Sequence, residues 1–386
     1  MVNAVYDHIV AILVVGVIFV GAVVVLPTMS FANLQAVDQQ QLRNTALNVF
    51  NAMLLDIGEP INWGSMEPFD INDPRVTRFG LASVQDSMFY VLDPDKVQRL
   101  VVGNPLNYLE YDRVRELLEL ENYGFRLRII PPFNVTNVDG TSILSESPIT
   151  IDGNELSYAV KVSYLDGTPI PNALARATIV YTDGEDFSII SPEPVLTGAL
   201  GVCEDTVTLS FDPDQAVVIL RVSVAGVATV VVTFGTTPPN DIAEINFVGD
   251  TLILTMPDAT PRGARWVDHV IPIGSQEDLQ FLYNGTRDNQ EDKLNYGALK
   301  VWMKTFNGLR SDDPVIFVLA FWAVIEGEGR KEVLVAGPYQ NLLGNTVFEY
   351  GGSSKSSSAA AVKIQRSVII SGMTYTAELW LWKESP

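Results

Sequence analysis

The feature that most constrains this chain is an uninterrupted apolar run from Ile9 to Leu26, built only of Val, Ile, Leu, Phe, Ala and Gly, with no Lys or Arg before Arg43. As a helix the run is roughly 27 Å long, close to the hydrocarbon thickness of a bilayer, so it is expected to span a membrane. A cleaved secretory signal fits less well, because residues 1–8 carry no basic residue and no small-residue cleavage site follows Leu26. Without neighbouring Lys or Arg, the orientation of such a span is left open. Further along, Leu42, Ala46, Val49, Phe50, Met53 and Ile57 recur at three- and four-residue steps beside Gln39, Gln40, Gln41, Arg43 and Asn44. That period predicts an amphipathic helical extension, kinked or broken at Pro27 and ended by Gly58 and Pro60.

A length of 386 residues suggests two or three domains, and 47% apolar against 18% charged residues excludes a disordered chain. The formal net charge is −21, from 25 basic and 46 acidic residues, which argues against nucleic acid as a partner. The lone Cys203 reads as a small core residue. Asn134 and Asn284 each open an Asn-X-Thr triplet in a region rich in Asp-Gly and Asn-Gly turns, and are candidate N-glycosylation acceptors on an exported domain. Catalytic patterns are missing. His8 and His269 lie far apart without Cys or His at ligand spacing, and no nucleophile elbow, P-loop or paired-cysteine motif occurs. His269 reads as a strand residue, and the acidic stretches 70–73 and 183–186 as solvated turns lacking a twelve-residue calcium loop. No enzymatic activity, metal or cofactor is expected.

Four regions follow from the patterning: residues 1–57, the apolar helix and its extension; 58–150, a mixed α/β first part of a head; 151–238, a β-sandwich; and 239–386, a β-rich C-terminal part. Helix signals stand at Asp93-Pro94-Asp95-Lys96 and over 108–120. Residues 125–130 alternate as one half-buried strand, and residues 362–382 form a hairpin turning at Ser371-Gly372. Trp380 and Trp382 share a strand face and are expected in one core, while Trp63, Met66 and Phe69 are expected to plug the head against the helix. Because strand 125–130 precedes the sandwich and its natural partners follow, the sandwich is expected to be a dispensable insertion with a polar outer face.

Residues 160–173, with Leu196-Thr-Gly and 206–209, resemble the immunoglobulin-like repeats of bacterial and archaeal surface proteins. Residues 4–10 with the Val-rich run, 39–48, 57–64, 117–129 and 364–375 together resemble archaeal type IV pilin-like surface proteins. The resemblance implies an α+β fold, a long N-terminal hydrophobic helix followed by a mainly β extracellular head with an immunoglobulin-like sandwich. It implies a structural subunit of a pilus-like filament, a homopolymer through its N-terminal helices, used for adhesion. The membrane is then a partner before or instead of assembly, and a glycan or cell-surface ligand a partner of the head. Ile12, Gly16, Phe19, Gly21, Val49, Phe50 and Met53 are the residues expected to pack helix on helix. The alternative is a non-polymerising, membrane-anchored envelope ectodomain that binds a surface-layer protein, glycan or solute.

Overall fold

The computed structural model describes residues 2–84, 90–102, 107–143, 145–235, 243–257, 263–273, 283–284, 293–296, 299–306, 316–325, 328–337, 347–352 and 361–384. The expected α+β class is corrected to a mainly β one, with 22 strands among these residues. Past residue 122 the chain is dominated by β-branched and aromatic runs punctuated by turn residues, which favour strands. Helix α1 (Val2–Leu55) runs through Pro27 without interruption, and α2 (Pro94–Gln98) and α3 (Tyr111–Leu117) are short.

The membrane-spanning reading, and with it a pilin-type anchor helix holding a head at a cell surface, is corrected as well. Among the described residues no helix is long and apolar enough to cross a membrane. The continuous apolar stretch of α1 with described side chains is residues 13–20.

The central sheet is assembled from distant parts of the chain. Its order is β1 (Val91–Leu92), β21 (Ala361–Ile370), β22 (Met373–Lys383), β2 (Tyr123–Ile130) and β20 (Phe348–Gly351). The β21–β22 turn is the two-residue Ser371-Gly372, both at positive φ (49° and 72°), the geometry whose twist matches a tight hairpin. Strand β2 pairs antiparallel with β22, setting Phe125 opposite Leu381 and Leu127 opposite Leu379. These side chains form one core with Leu42, Ala46, Val49, Phe50, Met53 and Leu54 of α1. Leu379 and Leu381 take the places facing α1, so Trp380 and Trp382 share the opposite face: Trp382 is buried there, as expected, but outside the α1 core, and Trp380 is only half-buried. Trp382 lies flat over Gly124, where any Cβ would collide with the indole, and half-buried Trp380 lies 5.2 Å beneath the Lys363 ammonium.

Between β2 and β20 the chain builds two further layered units. In the first, β3 (Asn134–Asn137) and β4 (Ile149–Asp152) line one edge of β5 (Glu155–Ser163) and β9 (Val202–Thr208) the other. The facing sheet orders β11 (Val227–Phe234), β10 (Gln215–Val224), β6 (Leu174–Thr182) and β7 (Phe187–Ile190), with β8 (Val195–Leu196) also on β6. Leu156, Tyr158, Val160 and Val162 meet Ile179, Val218, Leu220 and Val222 between the sheets. The second unit pairs β12 (Glu244–Val248), β13 (Thr251–Pro257), β17 (Leu299–Thr305) and β16 (Lys293–Tyr296) in one sheet. Its other sheet holds β15 (Tyr283–Asn284), β14 (Gly263–Ile273), β18 (Ile316–Ile325) and β19 (Glu328–Ala336).

The first sandwich has no polar outer face on its β10 side. Val217 and Ile219 of β10, with Val180, Val230 and Val232, belong to the same core as Ile271 and Ile273 of β14 and Val333 and Val335 of β19. The run Ala216-Val-Val-Ile-Leu220 offers no alternate polar residue, so both faces of the strand seek cover. Gln215 fastens the junction by exchanging two hydrogen bonds with the Val333 backbone, at 3.0 and 2.7 Å. The second unit is tied to the central layer too: Gln98 Nε2 donates to Phe247 O at 3.2 Å and Gly249 N to Asp95 Oδ2 at 2.9 Å.

Candidate assembly surface on helix α1

The described side chains of helix α1 fall into two stretches of opposite character. In the head-proximal stretch, Leu42, Ala46, Val49, Phe50, Met53 and Leu54 follow one helical face and are buried within the chain. Val49, Phe50 and Met53, expected to pack helix on helix between copies, are therefore taken up by the chain's own core. The amphipathic period could not tell the two kinds of cover apart. Trp63 and Phe69, both buried, close the core beneath the helix, and the Trp63 indole N–H donates to Gly80 O at 3.0 Å. Asp38 meets Lys383 of β22 at 3.0 Å where the helix leaves the head.

Residues 13–20 of the same helix, with Val10, present an apolar surface. Val10, Leu13, Val14, Val15, Val17, Ile18, Phe19 and Val20 are each between 51% and 69% exposed. Residues 13–20 advance about 100° per residue, so they wind about twice around the axis and leave no polar side. A helix that is apolar all round belongs in an interior, and covering a large aliphatic side chain gains about 1.5–3 kcal/mol. Gly16 opens a gap in this surface, since a Cβ there would meet nothing within 4 Å. Phe19 stands beside it, 68% exposed. The side chains of Ile12 and Gly21 lie outside the described residues.

On the head-proximal stretch the face opposite the core is polar but uncharged. Gln40, Gln41, Asn44, Thr45 and Asn48 line one shallow groove there. The amphipathic pattern marks Gln40, Gln41 and Asn44 as a polar margin but not Asn48; the signal of a strip is the spacing at 40, 44 and 48.

Elsewhere the candidate residues serve packing. Asn134 lies half-buried on β3 with Thr136 on the same outer face, while the Asn284 side chain lies outside the described residues. His269 sits on β14, stacked at 5.6 Å on Phe187 and 3.0 Å from Asp268, whose carboxylate also meets Lys331 at 3.2 Å. Burial pushes the Asp268 carboxyl up, but the close approach of His269 and Lys331 outweighs it and holds the carboxyl below the usual range. Cys203 is buried in the first sandwich, where burial and the nearby Asp205 push its thiol up to about 11, so it is no reactive thiolate. Two charged residues not anticipated inside the head are fully buried. Lys96 Nζ donates to Ile57 O and Ala82 O, both at 2.9 Å, and Arg99 to Gly64 O at 2.8 Å and Met66 O at 2.9 Å. Burial pushes the Lys96 ammonium below the usual lysine range. Among the described residues no group of three or more His, Cys, Asp or Glu could hold a metal ion.

No family model and no curated protein matches this chain. Among solved structures it is similar, at 12% identity and a TM-score of 0.19, to trypsin-activated alpha-2-macroglobulin from Escherichia coli. That match covers 57% of this chain and 18% of the other, so this chain spans less than a fifth of that protein, and the likeness carries no argument about fold or function.

Proposed function

We propose that this chain is a structural subunit that polymerises with copies of itself into a pilus-like filament, with the α1 helices inside and the β head outside. The observation that carries the reading is the exposed apolar girdle at residues 13–20. A groove on one partner would cover one side of such a helix, whereas a bundle of identical helices covers every side at once. Burial of residues 42–54 of α1 in the head supports it, because the same helix that carries the girdle is anchored there.

Negative-stain microscopy and sedimentation of the purified chain test this. Filaments or high-mass assemblies are expected from the natural sequence. Val17→Glu should abolish them, since an unpaired carboxylate in an apolar contact is strongly disfavoured. Gly16→Leu should also weaken assembly while leaving the fold intact, because the added side chain has open space within one copy. A single species of 42.3 kDa at all concentrations, with no filaments, would overturn the reading.

A further inference from the structure

The apolar girdle cannot by itself fix how far one helix slides along another. Val, Ile and Leu offer nearly the same surface at every position, and dispersion contacts carry little positional information. A single buried amide in a helix contact, by contrast, specifies register, because sliding leaves its donors and acceptors unpaired. The uncharged face of α1 has the residues for that role. Gln40, Asn44 and Asn48 repeat at four-residue steps, with Gln41, Thr45 and Asn51 beside them, and Asn44, Asn48 and Asn51 are exposed.

We propose that a second copy of this chain docks along this face through reciprocal Gln and Asn side-chain hydrogen bonds, and that these set the register in which the apolar girdles meet. The inference rests on the filament reading above and names the partner and the specificity element of the same helix. Two observations favour an identical copy as the occupant. An amide both donates and accepts, so an amide strip is complementary to itself. The chain carries −21 net charge, so copies can approach closely only where acids are missing. From Gln39 to Leu55 the only charged residue of α1 is Arg43, and Asp38 just before is already paired with Lys383. The strip and the girdle both belong to helix α1.

Two double variants of the full chain test it: Asn44→Asp with Asn48→Asp, and Asn44→Leu with Asn48→Leu. Both positions are exposed, so far-UV dichroism and the cooperative melt should match the natural sequence. The Asp pair is expected to raise the protein concentration needed for assembly by about tenfold at low salt, with recovery as salt screens the added charge. The Leu pair should still assemble, but its filaments should lose the regular periodicity seen in averaged images. Wild-type assembly and wild-type periodicity in both pairs would overturn the register role while the Val17→Glu result stands. Absence of assembly by the natural sequence would overturn the filament reading as well.

Discussion

Asp73 is nearly fully buried and takes hydrogen bonds from Arg75 at its backbone N (3.0 Å) and Nε (2.9 Å), with Nη2 at 2.5 Å. The side-chain bond from Arg75, opposed by burial, holds its carboxyl down at about 2. A depressed carboxyl pKa contributes stability that is present above the unfolded value near 4 and is lost as pH falls through about 2. With the half-exposed Arg75 screened by solvent, the contribution is on the order of 1–2 kcal/mol. Asp73→Asn should therefore lower the urea midpoint at pH 7, and the gap between variant and natural protein should close as pH falls from about 4 to about 2. A gap independent of pH would assign the loss to shape rather than charge. At this scale what sequence makes legible is local chemistry: Asp93 caps α2 by accepting from Asp95 N at 2.9 Å, and Ser371-Gly372 turns the hairpin. Buried Lys96 and Arg99 were not legible, because their partners are carbonyls 14 to 39 positions away that only the folded loops bring together.

Elements show where a periodic pattern suffices and where it does not. The three- and four-residue spacing of Leu42 to Met53 told which face of α1 would be covered, but not that the cover is the chain's own sheet. The wholly apolar run reads as a bilayer segment, whereas among the described residues no helix is long and apolar enough to cross one. Strand β10 is the plainest case. Its unbroken apolar run was visible, yet read as one wall of a sandwich rather than as a layer between two cores. Excising residues 133–235 should therefore expose Val333 and Val335 and cost the second sandwich its cooperative unfolding, which differential calorimetry would register as a lost or broadened transition. Gln215→Ala, which strips both hydrogen bonds from the Val333 backbone, should destabilise by about 1–3 kcal/mol. Retention of a sharp transition after the excision would restore the insertion as an independent module.

For the whole molecule, charge and connectivity matter most. Copies bearing −21 repel one another, so association through apolar and amide groups should be favoured as the Debye length shrinks from about 30 Å at 0.01 M salt to about 8 Å at 0.15 M. Light scattering during a salt titration should show onset at lower protein concentration as salt rises; dissolution by salt would point to ion pairs as the contact. The pairing of β2 with β22 has a further consequence, in the life of the nascent polypeptide. Strand β2 is complete at Ile130, but β21 and β22 begin only at Ala361, about 230 residues later. At 5–20 residues per second, roughly ten to fifty seconds of synthesis separate the two partners. Throughout that interval the apolar edge of β2 and the inner face of α1 have no sheet to close on, while the intervening sandwiches emerge and compete for the same surfaces. Closure of this core thus waits on β21 and β22: a chain interrupted just before Ala361 holds both finished sandwiches yet leaves β2 and the inner face of α1 without the sheet that covers them.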